Sequence, residues 1–442
     1  MGPRDHFATR LGFVLAAAGS AVGLGNIWKF PFMTGQNGGG AFLIIYVAFV
    51  LTIGLSVMLA EFTIGRAGQR NPVGAFRVLK DGPWTAVGAL GVIAGFVILS
   101  FYSVVGGWTL AYAGKAISGG LAADSPDALG ALFGGFISEP IGVIAFHALF
   151  MVLTMTVIAG GIRGGIERAA RVLMPALAVL VVILAVRSIT LEGAGKGIQF
   201  FLTPDFSKVT WDTVNAALGQ AFFSLSLGMG AMLTYASYLD KQVNLPRTAA
   251  QVTILDTGFA VIAGLMVLPA VFAFGFDPGA GPGLTFITLP AVFAQMPAGQ
   301  IFAFMFFALL AIAALTSAVS IMEPVVSYLI DERGLSRKTA TIVTGFVIWA
   351  MGVPSALSLG PWKDITIAGK GILDAMDYLA SNIMLPLGGV LIALFIGWSI
   401  SNRAVEEATS DGVHPFPLAK AWIFVCRFVA PAAVAWVLFS GL

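Results

Sequence analysis

Two short stretches hold the residue types that could handle a small solute. Residues 19–32 read GSAVGLGNIWKFPF, and residues 222–231 read FFSLSLGMGA. Each sets a Gly-x-Gly among small polar side chains: Gly23-Leu24-Gly25 precedes Asn26, and Gly228-Met229-Gly230 follows Ser224 and Ser226. Both lie inside apolar runs of membrane-spanning length. Glycine is costly in a helix interior, and Pro31 has no amide to donate. At membrane depth, irregular backbone persists only where it is buried in protein or lines a cavity. Freed carbonyls there can coordinate a cation. Freed amides at a half-helix N-terminus can hold an anion such as a carboxylate. An amino acid carries one group of each sign.

The elements that must position these residues follow from composition. Of 442 residues, 58% are hydrophobic and 10% charged, whereas a soluble domain carries about 25% charged residues. A helix needs roughly 20 apolar residues to cross a bilayer. Eleven stretches qualify, near 11–36, 41–66, 86–114, 140–160, 168–188, 212–238, 250–275, 296–329, 339–355, 374–401 and 418–440. The short alternating segments of a membrane barrel are not the pattern. The expected fold is an all-α integral membrane protein with about eleven transmembrane helices. A net charge of +2 gives no reason to expect a nucleic-acid partner, and a single cysteine, Cys426, excludes an intramolecular disulfide. The first span is too long and too polar for a signal-peptide core, so it reads as retained.

Lysine and arginine placement sets the orientation. Sixteen of the 24 lie in one set of alternate loops together with the N-terminus, among them Arg4, Arg66, Arg163, Arg337 and Lys420. Six lie in the other set: Lys115, Arg187, Lys196, Lys208, Lys363 and Lys370. Lys29 and Arg427 fall within spans. The N-terminus is expected in the cytoplasm and the C-terminus outside. Segment 116–139 holds Asp124, Asp127 and Glu139 with no cation, which suits an external loop.

The two interrupted spans are the first and the sixth. Interrupted spans in corresponding positions of two halves point to a transporter site at the membrane midplane. Five spans separate the halves, and an odd number inverts the second. The expected organisation is a five-helix repeat over 1–190, an external connection over 191–211, an inverted five-helix repeat over 212–402, and an eleventh helix over 403–442. Glycine-kinked structural helices packed through small residues would explain one broken span, but poorly explain a matched pair carrying Asn26, Ser224 and Ser226. No strand precedes either Gly-x-Gly, which removes a phosphate-cradle reading.

At these residues the chain resembles the neurotransmitter:sodium symporter family, on its bacterial amino-acid side. The carriers are RLGFVLAAAGSAVGLGNIWKFPFMTGQNGGGAF in the first span, GQAFFSLSLGMGAMLTYASY in the sixth and ALTSAVSIMEP in the eighth. The similarity runs from about Arg4 to the end, and the chain looks like the shorter members with eleven helices. The resemblance implies sodium-coupled symport by alternating access. It implies a first sodium ion held by the Ala21 carbonyl, Asn26, Ser224 and Asp256, all oxygen donors of the kind hard cations take. A second sodium would be held by the carbonyls of Gly19, Val22 and Ala313 with the hydroxyls of Thr316 and Ser317. Read alone, Thr316 and Ser317 are a helix pair bonded back to their own backbone.

By the same motif matches, the substrate carboxylate would meet amides near Leu24 and Gly25 and the Tyr102 hydroxyl. Its amine would meet carbonyls near Ala21, Phe223, Ser224 and Ser226. Gly23 stands where amine-carrying members have aspartate, which implies a substrate with its own carboxylate. Ser20, Ile98, Phe223, Ser226, Met229, Ser317 and Ile321 would line the side-chain subsite. None is charged, so the side chain should be neutral and mainly apolar, and flexible Met229 favours a broad pocket that admits aromatic groups. Lys29 and Asp377 match the external gate, although the family normally has arginine at position 29. Lysine lacks the bidentate fork, so the expectation is a water-bridged gate in place of a strong direct one. Arg4 and Asp331 match the internal gate, near Phe7 and Tyr238. Glu61 is expected to bond the freed amides of the sixth span. Glu323 stands where some members have glutamine, and His147 reads as a packed histidine without a role. Gly165 and Pro175 form the family's Gly-x9-Pro, a place where the fifth helix could unwind.

Chloride-dependent members use a tyrosine, a glutamine and small hydroxyl residues. Tyr46, Gln220 and Ser224 are present, but Asp256 and Ala260 replace an asparagine and a serine. A permanent carboxylate beside two cations removes the need for an anion. The expectation is chloride-independent symport, with a proton carried outward on the empty return. The implied partners are an amino-acid substrate, about two sodium ions and the lipid bilayer, in a monomer or dimer of the inner (plasma) membrane. The competing readings are a ligand-gated channel or a non-transporting sensor on the same fold. With three histidines and no nucleophile–base pairing, an enzyme is not expected.

Overall fold

The computed structural model of the protein describes residues 5–121, 125–279, 283–410 and 412–440. Among the described residues, nine helices are long and apolar enough to cross a membrane, and a pair bent by 47° makes a tenth if taken as one span. The bent pair is helix 1, Arg10–Ala21 and Gly25–Gln36. Helices 2 to 5 are Gly40–Gly68, Thr85–Ile117, Pro140–Ala159 and Ile162–Ile189. Helix 6 is the second broken span, Trp211–Ser224 and Ala231–Ala236. Helices 7 to 11 are Leu245–Ala273, Gly299–Arg333, Arg337–Leu357, Ile372–Ser399 and Ala419–Leu438. With the two short helices of the sixth span counted as one, the described residues are consistent with the expected eleven helices.

The connections are more ordered than their sequence suggests. The connection over 191–211 contains a helix, Ala194–Leu202, and segment 116–139 contains another, Pro126–Ser138. Both are too short for an apolar-run criterion to find. The described strands are two residues each, Thr366–Ile367 and Lys370–Gly371, paired antiparallel in the connection before helix 10. Prolines 175, 269, 324 and 354 sit inside helices 5, 7, 8 and 9 without ending them, because neighbouring helices re-satisfy the freed backbone groups.

Burial separates scaffold from site. Helix 3 is largely buried and packs along helix 8. Helices 4, 5 and 11 present large apolar side chains outward, among them Leu149, Val179 and Phe428. That distribution is inverted from a soluble protein and fits a lipid solvent. The polar side chains of the two breaks are enclosed: Ser20, Asn26, Ser224, Ser226 and Asp256 are all buried.

Candidate functional site

The first break occupies Val22 and Gly23. Helix 1 ends at Ala21, Val22 takes ψ 85°, and the chain re-enters a wide π turn at Gly25. Gly23 has no room for a side chain, because a Cβ would run into the Ser317 hydroxyl and crowd Tyr102. The freed amides find weak partners: Leu24 N lies 3.4 Å from the Tyr102 hydroxyl, and Gly23 N lies 3.4 Å from Asn26 Oδ1. Gln220 Nε2 donates to the Gly25 carbonyl at 2.8 Å, which ties this break to helix 6.

The second break runs over residues 225–230. Ser226, Gly228 and Gly230 all take positive φ, of 53°, 82° and 73°. At Gly228 a side chain would also meet the backbone of Leu385 in helix 10. Here the protein supplies its own anion. Glu61 of helix 2, fully buried, accepts from Gly228 N at 2.7 Å and from Leu233 N at 3.3 Å. The Ser226 hydroxyl crosses to the first break and donates to the Ser20 carbonyl at 2.9 Å.

A carboxylate from a third element joins the two breaks. Asp256 of helix 7 accepts from Asn26 Nδ2 at 2.8 Å and from Ser224 Oγ at 2.9 Å. Tyr46 of helix 2 donates to Ser224 at 3.0 Å and reaches Asp256 at 3.5 Å. Asn26, Ser224 and Asp256, widely separated in sequence, thus form one buried cluster, with Ala21 at the edge of the break beside it. Ala260 lies one helical turn further along helix 7, also buried.

The residues matched to a second ion meet where helix 1 packs on helix 8. A Cβ on Gly19 would lie 3.3 Å from Thr316 Cβ. The Ser317 hydroxyl donates to the Ser20 carbonyl at 3.1 Å and reaches the Gly19 carbonyl at 3.5 Å. Thr316 Oγ1 bonds back to the Ala313 carbonyl at 3.0 Å. Between this cluster and the first, Ser20 Oγ is buried without a hydrogen-bond partner. Ile98, Met229 and Ile321 are buried, and Gly95 of helix 3 faces the backbone of both Met229 and Ile321. Phe223 is half-buried and lies against Gly25.

At the expected external gate the two charged side chains have separate partners. Lys29 Nζ sits 4.3 Å over the Phe223 ring, while Asp377 accepts from Ser381 at 2.8 Å. Among the described residues no ion pair joins Lys29 to Asp377. The physical reason is the one lysine brings: a single point charge satisfied by an aromatic face, without a fork to span to a carboxylate. At the internal gate, Arg4 lies outside the described residues. Asp331 accepts from the Asn71 amide at 2.7 Å.

Just before helix 1, two carboxylates to which motif matching gave no gate role are tied to neighbouring elements. Phe7 is buried edge-on against Phe13 and Tyr235, and its amide donates to the Tyr238 carbonyl. Tyr238 donates to Glu323 at 2.7 Å, and Arg337 grips Glu323 with both terminal nitrogens at 3.0 Å. Glu167, in the wide first turn of helix 5, accepts from Ala8 N at 2.7 Å and from the Thr9 hydroxyl at 3.0 Å. Helix 5 stays wound through Gly165 and Pro175. A glutamate next to the glycine-rich GGIRGGIE was the available signal for Glu167. His147 is buried with Nε2 2.8 Å from Ser103 Oγ, a packed histidine.

Two broken helices enclosing a buried polar cluster, in an eleven-helix bundle, define a multi-pass membrane transporter. Comparison with known proteins makes the class specific. The family model described as the Sodium:neurotransmitter symporter family matches residues 4–127 and 137–442, and the chain belongs to that family. An uncharacterized sodium-dependent transporter of Bacillus subtilis is 42% identical over 97% of this chain and 96% of its own. Another from Haemophilus influenzae is 37% identical over 99% and 98%. The crystal structure of MhsT in complex with L-phenylalanine superposes with a TM-score of 0.93 at 47% identity, covering all of both chains. The protein is a sodium-dependent transporter and not an enzyme.

Proposed function

We propose that the chain carries neutral, mainly hydrophobic amino acids, aromatic ones included, together with sodium by alternating access. The observation that carries this reading is Asp256, hydrogen-bonded at once to Asn26 of the first break and Ser224 of the second. A cation placed there would touch both breaks, and the substrate carboxylate would complete its shell from the weakly held amides near Leu24 and Gly25. Tyr102 would share that carboxylate, and the carbonyls of Ala21, Phe223, Ser224 and Ser226 would take the amine. Gly19, Val22, Ala313, Thr316 and Ser317 would hold a second sodium. The uncharged lining by Ser20, Ile98, Met229 and Ile321 supports an apolar side chain, as does the L-phenylalanine bound to MhsT.

The reading places the N-terminus in the cytoplasm, the C-terminus outside, and inverted repeats over 1–190 and 212–402. Arg4, Asp331, Lys29 and Asp377 serve the gates, with Phe223 carrying much of the external closure. Asp256 supplies a resident negative charge, so uptake needs no chloride, and the empty carboxylate returns protonated because an uncompensated charge is costly at that depth. Sodium-driven uptake and counterflow of L-phenylalanine in proteoliposomes test transport against a channel or sensor. Uptake should persist when gluconate replaces chloride at constant sodium, and Asp256→Asn with Ala260→Ser should create a chloride requirement. Wild-type uptake that collapses in gluconate overturns the chloride reading.

A further inference from the structure

Arg427 lies inside helix 11, seven residues beyond Lys420 and so about 10 Å deeper along the helix axis. A cation at that depth is expensive and ordinarily has a partner. Arg66, in the last turn of helix 2, is fully buried and bonded to Glu407 at 2.7 Å, to the Val243 carbonyl and to Ser410. Arg427 is not treated that way. Its Nε donates to the Gly397 carbonyl at 2.8 Å, and the guanidinium lies 5.0 Å from the centre of the Trp398 ring. Among the described residues its two terminal nitrogens have no hydrogen bond and no carboxylate.

The surroundings fix this arginine at the protein surface. Helices 10 and 11 each widen into a π turn, Phe395–Ser399 and Val425–Val429, and the two turns touch. Gly397 permits the contact, since a Cβ there would lie 2.7 Å from Arg427 Cα. Trp398 Nε1 donates back to the Arg427 carbonyl at 3.1 Å, locking the pair together. Around it the surface is aromatic and open: Trp398 is 60% exposed, Phe424 57% and Phe428 48%. Phe428 packs edge-on against Trp398 and tilted against Phe424, at 5.5 and 5.4 Å.

We propose that Arg427 and Trp398 form a phospholipid site, in which the terminal guanidinium nitrogens hold a headgroup phosphate and Phe424 and Phe428 line the path of its acyl chains. The occupant follows from charge and location. The remaining donors form a fork that matches a phosphate. The face is apolar and lies on the outside of the bundle, in the leaflet of the cation-rich loops, where basic pockets between helices recognise anionic headgroups. Tryptophan at such a level is an interfacial residue, and Arg427 reaches back along it toward the headgroups. The site lies outside the region enclosed by the two breaks and does not depend on which solute is carried.

Native mass spectrometry of the whole chain in detergent, with phosphatidylglycerol supplied, tests the proposal. The wild type should retain one lipid more strongly than Arg427→Gln, with about tenfold less bound lipid for the variant at equal lipid concentration. Arg427→Lys should fall between them. Dioleoylglycerol, which has the chains but no phosphate, should show no difference between wild type and variant. Excess inorganic phosphate should leave the bound lipid in place. Trp398→Leu, which keeps the charge, should also lower retention and provides a reading if Arg427→Gln does not accumulate. Equal phosphatidylglycerol retention by wild type and Arg427→Gln, or by wild type and Trp398→Leu, overturns the proposal. Displacement of the lipid by inorganic phosphate alone overturns the choice of a lipid as occupant.

Discussion

The break in helix 1 spans two residues and bends the helix by 47°, whereas the break in helix 6 runs from Leu225 to Gly230 with three residues at positive φ. Both free backbone groups at membrane depth, yet the protein treats those groups differently. At the second break Glu61 takes Gly228 N and Leu233 N, so that half-helix N-terminus already holds an anion. At the first, among the described residues, Gly23 N and Leu24 N have only 3.4 Å contacts with neutral oxygens. The amides of the second break are thus already satisfied by the protein, and under the proposed function those of the first would be the donors that meet the substrate carboxylate.

The comparison can be broken most directly at Glu61. Glu61→Ala would orphan two buried amides, each bond to a carboxylate being worth about 1.5–3 kcal/mol. We expect a loss of about 3–6 kcal/mol, read as a large drop in the thermal midpoint in detergent, and a smaller loss for Glu61→Gln, which keeps an acceptor. An unchanged midpoint for Glu61→Ala would mean that the second break is not held as described.

Asn26 probes the open side of the comparison. Asn26→Ala should weaken sodium and amino-acid binding together, each by about tenfold or more, since coupling between two ligands is reciprocal. Isothermal titration of each ligand in the presence of the other checks this. Loss of amino-acid affinity with intact sodium affinity would separate the two sites.

Met229 sharpens the division of labour, because it belongs to the second break. Met229→Ala should change substrate ranking by a few-fold in favour of bulkier aromatic side chains, without changing sodium affinity. Competition binding with glycine, leucine and tryptophan measures it, and an unchanged order would move the side-chain subsite elsewhere.

The smallest effect is expected at Lys29, which follows the first break in the chain. Lys29→Arg restores a fork able to reach Asp377 and should slow substrate release to the outside by about twofold, the scale of an exposed ion pair. Lys29→Ala should speed release. Equal off-rates in all three proteins would remove Lys29 from the gate.

The two proposed gate regions differ in a related way. Glu323, Arg337, Tyr238 and Glu167 are tied by hydrogen bonds of 3.0 Å or less. Around Lys29 the contact is with the Phe223 ring, at 4.3 Å.

What the sequence determined by itself is local in origin. Apolar run length marked eleven helices, because each span must satisfy its own backbone in lipid. Glycine pairs marked both breaks, because the conformations at Gly228 and Gly230 are ones other residues rarely adopt. Glu61 was legible as a carboxylate with no other use at that depth. Tertiary structure decided the pairings between residues far apart in the chain. It set Lys29 on Phe223 and away from Asp377, brought Glu167 to the amide of Ala8, and placed Glu323 between Tyr238 and Arg337. It also put Arg427 against Gly397 on the outside of the bundle. A side-chain partner depends on which helix faces turn toward each other, and a one-dimensional pattern of apolar residues leaves that choice open until the bundle is packed.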